Sequence, residues 1–367
     1  MDVMRPFMDH GGNVREYRER WGGDPGDLAD FSANINPLGP PESVKSAMRA
    51  ALQEAHRYPD PRQEGFRRQV AERWGMTSDA VIVGNGAAEL IFLAMFAWRP
   101  RRILALAPSF SEYEDAARAV GAEIERILLH PERGFVPDAG AVVDALGTGV
   151  DLLVLANPNN PTGVLWDSAA LERVLDEAEE AGVRVLLDEA FLDFCSDEQI
   201  RSQIPRAGRR PGLFVLRSMT KFYSIPGVRL GYGVASPEEI RRMEGLRPPW
   251  SVNGVALAAG AAALEDEDFP ARSRRWIIQQ RRRMAETFGK LGFSVTDARA
   301  NFLLAWREDF DIGREWPRLA RRGVFVRDCR TFPGLDRRYL RVAVRPKRDQ
   351  ERLFAGIREG LEDVRVT

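Results

Sequence analysis

Short apolar runs alternate with amphipathic stretches through the first two-thirds of this chain, and that alternation restricts its fold more than any other feature. The runs 81–84, 103–107, 123–129, 152–156, 183–187, 213–216 and 229–234 read as strands. Helical periodicity lies between most of them, for example over 87–98, 112–120 and 168–181. Continuous apolar strands separated by helices belong to a sheet covered on both faces. The expected fold class is therefore α/β, with a mostly parallel seven-stranded sheet flanked by helices. In such sheets, chemically active residues gather beyond the carboxyl ends of the strands.

From about Asp266 the pattern changes. A long Arg-rich segment at 271–291 reads as a helix; short strands follow at 293–296, 301–306, 323–326 and 339–344, and a helix over 348–361. The expected division is an N-terminal arm (1–36), a large cofactor-binding domain (37–265) and a small C-terminal domain (266–367), with early residues joining the smaller lobe. A formal charge of -1 gives no electrostatic case for nucleic acid or an acidic membrane. The greasiest stretches, 90–98 and 255–264, are too short to span a bilayer. With no signal peptide visible and only two cysteines, Cys195 and Cys329, a cytoplasmic protein is expected. The three histidines lack ligand spacing, so no metal site is expected.

Lys221 stands out next. Only four of the 53 basic residues are lysines, and this one lies among small, aromatic and Gly/Pro residues at 218–232. Arginine replaces lysine as a surface charge, but it cannot form a Schiff base. Lys45, Lys290 and Lys347 sit in polar surroundings that suit solvated charges. Other strand ends also carry polar residues. Asn157 to Gly163 forms a turn before a helix, Asp188 and Glu189 close a very apolar strand, and Gly84-Asn85-Gly86 opens a helix able to present N–H groups to a phosphate. A buried carboxylate in that pair needs a cationic or hydrogen-bonding partner.

The order Gly84-Asn85-Gly86, Asn160-Pro161-Thr162-Gly163, Asp188-Glu189-Ala190 and Ser218-x-x-Lys221 followed by Arg229 resembles the fold type I aminotransferase superfamily over nearly the whole chain. Those enzymes use pyridoxal 5′-phosphate. The resemblance implies that Lys221 holds the cofactor as a Schiff base and then carries a proton, and that Asp188 pairs with the pyridine nitrogen. It places Asn160 on the ring's 3′-oxygen and Phe110 against the ring face. Gly86 and Ala87, with Ser218 and Arg229, are expected around the phosphate. Tyr58 matches a tyrosine that reaches the phosphate from a partner subunit, which implies a homodimer. Many relatives carry Tyr where this chain has Phe191.

The ends of the chain narrow the expected reaction. His10-Gly11-Gly12-Asn13, Asp30 to Gly39, Trp250 to Asn253, Val326 to Cys329 and Phe332 to Arg345 resemble the L-threonine-O-3-phosphate decarboxylase family of cobalamin biosynthesis. Carried over by residue, His10, the Gly11 backbone, Asn34, Asn160, Arg327 and Arg341 would grip a phosphorylated amino acid. Arg345 shares a strand face with Arg341 and is its rival. Decarboxylation requires the carboxylate bond to stand perpendicular to the cofactor ring, and anchoring both phosphate and carboxylate would enforce that. The alternatives are a histidinol-phosphate aminotransferase using 2-oxoglutarate, or a decarboxylase preferring L-serine O-phosphate.

Overall fold

A computed structural model of the chain describes residues 11–21, 27–197 and 201–366. A two-residue strand β1 (Ala29–Asp30) precedes the strands of the main sheet: β2 (Val81–Gly84), β3 (Arg102–Ala107), β4 (Glu123–Leu128), β5 (Leu152–Ala156), β6 (Arg184–Asp188), β7 (Leu213–Ser218) and β8 (Gly231–Val234). Their order is β2-β8-β7-β6-β5-β3-β4, a seven-stranded sheet. Strands β7, β6, β5, β3 and β4 are parallel, while β8 runs antiparallel between β2 and β7. The mostly parallel α/β sheet expected from the sequence is therefore present, strand for strand.

Composition explains the layering. Strands β5 and β7 bury every residue, because helices cover both faces. The outermost strand β4 alternates charged and apolar residues and is largely accessible, as an edge must be to resist further pairing. Strands β2, β3, β5, β6 and β7 all point the same way, so their carboxyl ends share one rim. Helices leave that rim at Ala87–Trp98 and Glu112–Ala119, and the short turn of helix Met219–Phe222 follows β7 directly.

The C-terminal part adds β9 (Ser294–Val295), β10 (Phe302–Trp306), β11 (Val324–Phe325), β12 (Arg327–Asp328) and β13 (Tyr339–Ala343). An antiparallel sheet forms in the order β12-β13-β10-β9, and β11 instead pairs in parallel with β1. Helices Asp268–Lys290 and Lys347–Val366 pack on this sheet, with the Phe288 and Phe354 rings 4.9 Å apart. Among the described residues no helix is long and apolar enough to cross a membrane.

Within the N-terminal stretch, where the sequence shows little periodicity, an eight-residue helix spans Val14–Trp21. Its anchor is Tyr17, which is buried 4.8 Å from the Phe325 ring and donates its hydroxyl to the Ala320 carbonyl at 3.0 Å. One buried aromatic in two turns leaves too little pattern to detect.

Candidate active site

Two adjoining cavities, of about 650 and 100 Å³, open beyond the carboxyl rim of the main sheet. Both are lined by Phe110, Asn160, Phe191, Lys221 and Arg229. The smaller one adds Ala87, Asp188 and Ser218; the larger adds Gly11, Asn34, Arg327 and Arg341. Nearly all the expected site residues, drawn from nine separated segments of chain, thus surround one space.

Lys221 sits at the floor, three residues past the end of β7. Its Nζ lies 3.2 Å from Thr220 Oγ1 and 3.5 Å from Ser218 Oγ. Burial lowers its pKa from 10.5 to about 8; Asp188 opposes the shift, and Arg229 and Arg341 add to it. With that pKa about a tenth of the amine is unprotonated at pH 7, far more than for an ordinary lysine, and the unprotonated form is the nucleophile.

Asp188 and Glu189 divide their tasks by strand geometry, since successive side chains point to opposite faces. Asp188 faces the cavity. It accepts the Tyr113 hydroxyl at 2.6 Å and the Ala190 N–H at 2.8 Å, and burial pushes its carboxyl above the usual range. Glu189 points the other way and is fully buried, accepting from Ser202, Gln203 and Arg217 at 2.6, 2.8 and 2.9 Å. Its partner Arg217 answers the cation that the sequence demanded of this pair. Asp188 has only neutral donors in hydrogen-bond contact, so a protonated ring nitrogen in the small cavity would complete it.

The phosphate end of the site is shaped by close backbone approach. Gly86 adopts φ +83°, and a Cβ there would strike the Arg229 guanidinium. A Cβ on Gly231 would come 2.7 Å from the Ala87 nitrogen, so glycine in β8 lets the start of helix Ala87–Trp98 sit against the sheet. Arg229 itself holds a left-handed backbone at φ 64°, an uncommon state for a non-glycine residue that brings it over the helix start. Helix N–H groups, Ser218 and an arginine make a fitting anion cup. The residues therefore fit pyridoxal 5′-phosphate at both its nitrogen and its phosphate.

The larger cavity is built to take anions. Arg327 and Arg341 stand directly opposite each other across β12 and β13, and both are buried. Like charges in that register repel unless an anion separates them. Burial, then Arg327, pushes Arg341 down from 12.5 to about 9, still charged at neutral pH. Its Nη1 and Nη2 donate to Asn160 Oδ1 and the Ser32 carbonyl, each at 2.6 Å, while its Nε is buried without a partner. Asn34 Oδ1 is likewise buried and unpartnered. Arg345, the rival, is held by Asp349 at 3.0 Å. Because Asn160 Oδ1 is taken by Arg341, its amide NH₂ is left to donate into the cofactor space.

One expected residue stands apart, and another is not described. His10 lies outside the described residues. Tyr58 is 81% exposed, its ring tilted against that of Trp250 at 4.8 Å, and lines neither cavity of its own chain. Conversely, sequence reasoning missed Tyr113 and Thr220. Tyr113 follows Phe110 at helical spacing, and its ring meets that of Phe110 edge-on at 5.6 Å; the pair i, i+3 facing one side was the available signal. Phe191 lines both cavities and packs edge-on against Phe302 at 5.0 Å.

Residues 26–357 match the family model "Aminotransferase class I and II". A threonine-phosphate decarboxylase from Salmonella typhimurium is 39% identical over 97% of this chain and 97% of its own length. A histidinol-phosphate aminotransferase from Symbiobacterium thermophilum is 34% identical, covering 91% of both. The crystal structure of a histidinol-phosphate aminotransferase from Clostridium acetobutylicum superposes with a TM-score of 0.84 at 29% identity, over 91% of this chain and 98% of that one.

Proposed function

This chain belongs to the class I and II aminotransferase family, and from that premise we propose that it decarboxylates L-threonine O-3-phosphate to (R)-1-aminopropan-2-ol O-phosphate, a step of cobalamin biosynthesis in the cytoplasm. Its cofactor is pyridoxal 5′-phosphate. The observation that carries the reading is the buried Arg327–Arg341 pair, which calls for a substrate rich in negative charge beside the reactive lysine.

When bound, the cofactor supplies a ring that accepts the electron pair released at the substrate α-carbon as carbon dioxide leaves. Asp188, supported by Tyr113, would hold the ring nitrogen protonated. Phe110 would cover the ring face, and Asn160 would donate to the 3′-oxygen. Arg341 is suited to clamp a carboxylate with two parallel bonds, and Arg327 with His10 to hold the phosphate dianion. Fixing both ends of a short substrate sets which α-carbon bond stands perpendicular to the ring. The Lys221 amine then returns a proton to the carbon that lost its carboxylate.

The rival reading, a histidinol-phosphate aminotransferase, is supported by the 34% identical relative. Assaying the loaded protein with histidinol phosphate plus 2-oxoglutarate, and separately with L-threonine O-phosphate alone, separates the two. Turnover of the first and none of the second overturns the proposal. L-serine O-phosphate, one methyl smaller, is expected to turn over more slowly than the threonine compound.

Tyr113→Phe removes a donor that favours the charged form of Asp188, so its carboxyl rises further and its grip on the ring nitrogen weakens. We expect kcat to fall about tenfold with a shift in the cofactor's visible absorption band. Unchanged spectrum and rate would remove Tyr113 from the site.

The pH dependence of cofactor uptake tests Lys221. The amine must be unprotonated to react, so uptake by the apo-protein should rise with pH and level off above about 8. Stopped-flow absorbance with pyridoxal 5′-phosphate reads this directly. A rate still climbing tenfold per pH unit at pH 9.5 would mean an ordinary lysine, roughly 10.4 in pKa.

A homodimer would cover the exposed aromatic surface made by Tyr58 and Trp250, whose rings meet at 4.8 Å. Tyr58→Phe should weaken cofactor affinity about tenfold, seen by equilibrium dialysis, without dissociating the dimer. A monomer in sedimentation velocity would contradict the shared-site arrangement.

A further inference from the structure

Several contacts meet at Ser32, to which the reading above assigns no role. Its hydroxyl donates to Asp30 Oδ1 at 2.6 Å and accepts the Gly12 N–H at 2.8 Å. Its own N–H also reaches Asp30 Oδ1, at 2.8 Å, and its carbonyl accepts Arg341 Nη2 at 2.6 Å. A Cβ on Gly11 would collide with that same carbonyl. Ser32 is fully buried, yet it and Asp30 form part of the large cavity's wall.

The chemistry of these bonds is directional. A hydroxyl has one proton, and here a carboxylate takes it, so its remaining capacity is to accept. The Gly12 N–H meets that demand, in a bond strengthened by the charge on Asp30. The peptide carbonyl of the same residue meanwhile orients a guanidinium that has no carboxylate in hydrogen-bond contact. The Gly11–Gly12 segment is thus fixed at one end by Ser32 and, through helix Val14–Trp21, at the other by Tyr17.

We infer that Ser32, oriented by Asp30, is a positioning residue that docks the Gly11–Gly12 segment beside Arg341, so that backbone and guanidinium present one preformed anion site to a phosphorylated amino acid. The substrate class rests on the proposed function; the docking does not. Serine is required because alanine lacks both the acceptor and the donor, and glycine at 11 because any side chain blocks the approach.

The test uses the cofactor-loaded protein and the variants Ser32→Ala, Asp30→Asn and Gly11→Ala. For Ser32→Ala and Asp30→Asn we expect KM for L-threonine O-phosphate to rise about tenfold or more, a larger change than any in kcat, and for Gly11→Ala, in the substrate grip itself, kcat/KM to fall at least as far. Amide hydrogen exchange over residues 11–21 should quicken about tenfold in Ser32→Ala, with strands β5 to β7 and the cofactor spectrum unaltered. Wild-type KM in Ser32→Ala, or unchanged exchange over 11–21, overturns the inference. So does a loss confined to kcat. If the wild-type protein releases no carbon dioxide, the decarboxylase reading fails, and the exchange comparison alone still decides whether Ser32 docks the segment.

Discussion

Replacing Lys221 with alanine is expected to lower decarboxylation by at least about 10⁴-fold, because in the proposed function the residue would both bind the cofactor covalently and move the proton. Lys221→Arg should be equally inactive. Arginine restores the positive charge near Asp188 but not an amine able to lose its proton, so the pair of variants separates charge from nucleophilicity. Folding should survive in both. The wild-type amine is desolvated, as its depressed pKa shows, and its removal relieves that penalty. A melting temperature within a few degrees of wild type, together with lost activity and loss of the imine absorption band, is the expected result. Residual activity within tenfold of wild type in either variant would mean that Lys221 is not the reactive amine.

Arg341 carries the second large effect. Arg341→Lys should cut kcat/KM for L-threonine O-phosphate roughly 30- to 1,000-fold, the cost of truncating a buried, hydrogen-bonded charge pair. Lysine keeps the charge but cannot make two parallel bonds to a carboxylate, nor hold Asn160 and the Ser32 carbonyl at once. Activity is expected to fall more steeply than stability. In the ligand-free protein the Arg341 charge is buried against Arg327, a repulsion that lysine retains, so the variant forfeits only the two hydrogen bonds of the guanidinium. A bound carboxylate should offset that repulsion, and acetate is expected to raise the melting temperature of wild type more than that of Arg341→Lys. Equal stabilisation by acetate in the two proteins would take Arg341 out of the carboxylate site. Arg345→Ala serves as the comparison: its guanidinium is already held by Asp349, and a smaller kinetic effect is expected.

How much of this was legible in the sequence follows from the range of the interactions. Strands β5, β6 and β7 are short apolar runs ending in Asn, Asp or Ser, and both their existence and their functional ends could be read from local pattern. The opposed fates of Asp188 and Glu189 were within reach too, since a period of two sends neighbours to opposite faces. For Tyr113 only its spacing from Phe110 was local; its bond to Asp188 was not, because the two lie 75 residues apart and only the packing of helix Glu112–Ala119 on the sheet brings them together. Ser32 escaped for the same reason: Arg341 is 309 positions distant. Strands β1 and β12, of two residues each, carry no periodicity at all, yet the β12–β13 register is what sets Arg327 against Arg341. Tyr58 shows a different limit. Within one chain it is an exposed aromatic, and its proposed place at a second subunit's site involves no partner in its own chain.

The most direct test is to incubate the cofactor-loaded protein with L-threonine O-phosphate in D₂O, without any oxo acid, and to quantify carbon dioxide and the amine product together. The account predicts sustained turnover, carbon dioxide and aminopropanol phosphate in equal amounts, and one deuterium on the carbon that lost its carboxylate, delivered from Lys221. Absence of carbon dioxide, with histidinol phosphate converting the bound cofactor to its pyridoxamine form, would contradict it and leave an aminotransferase.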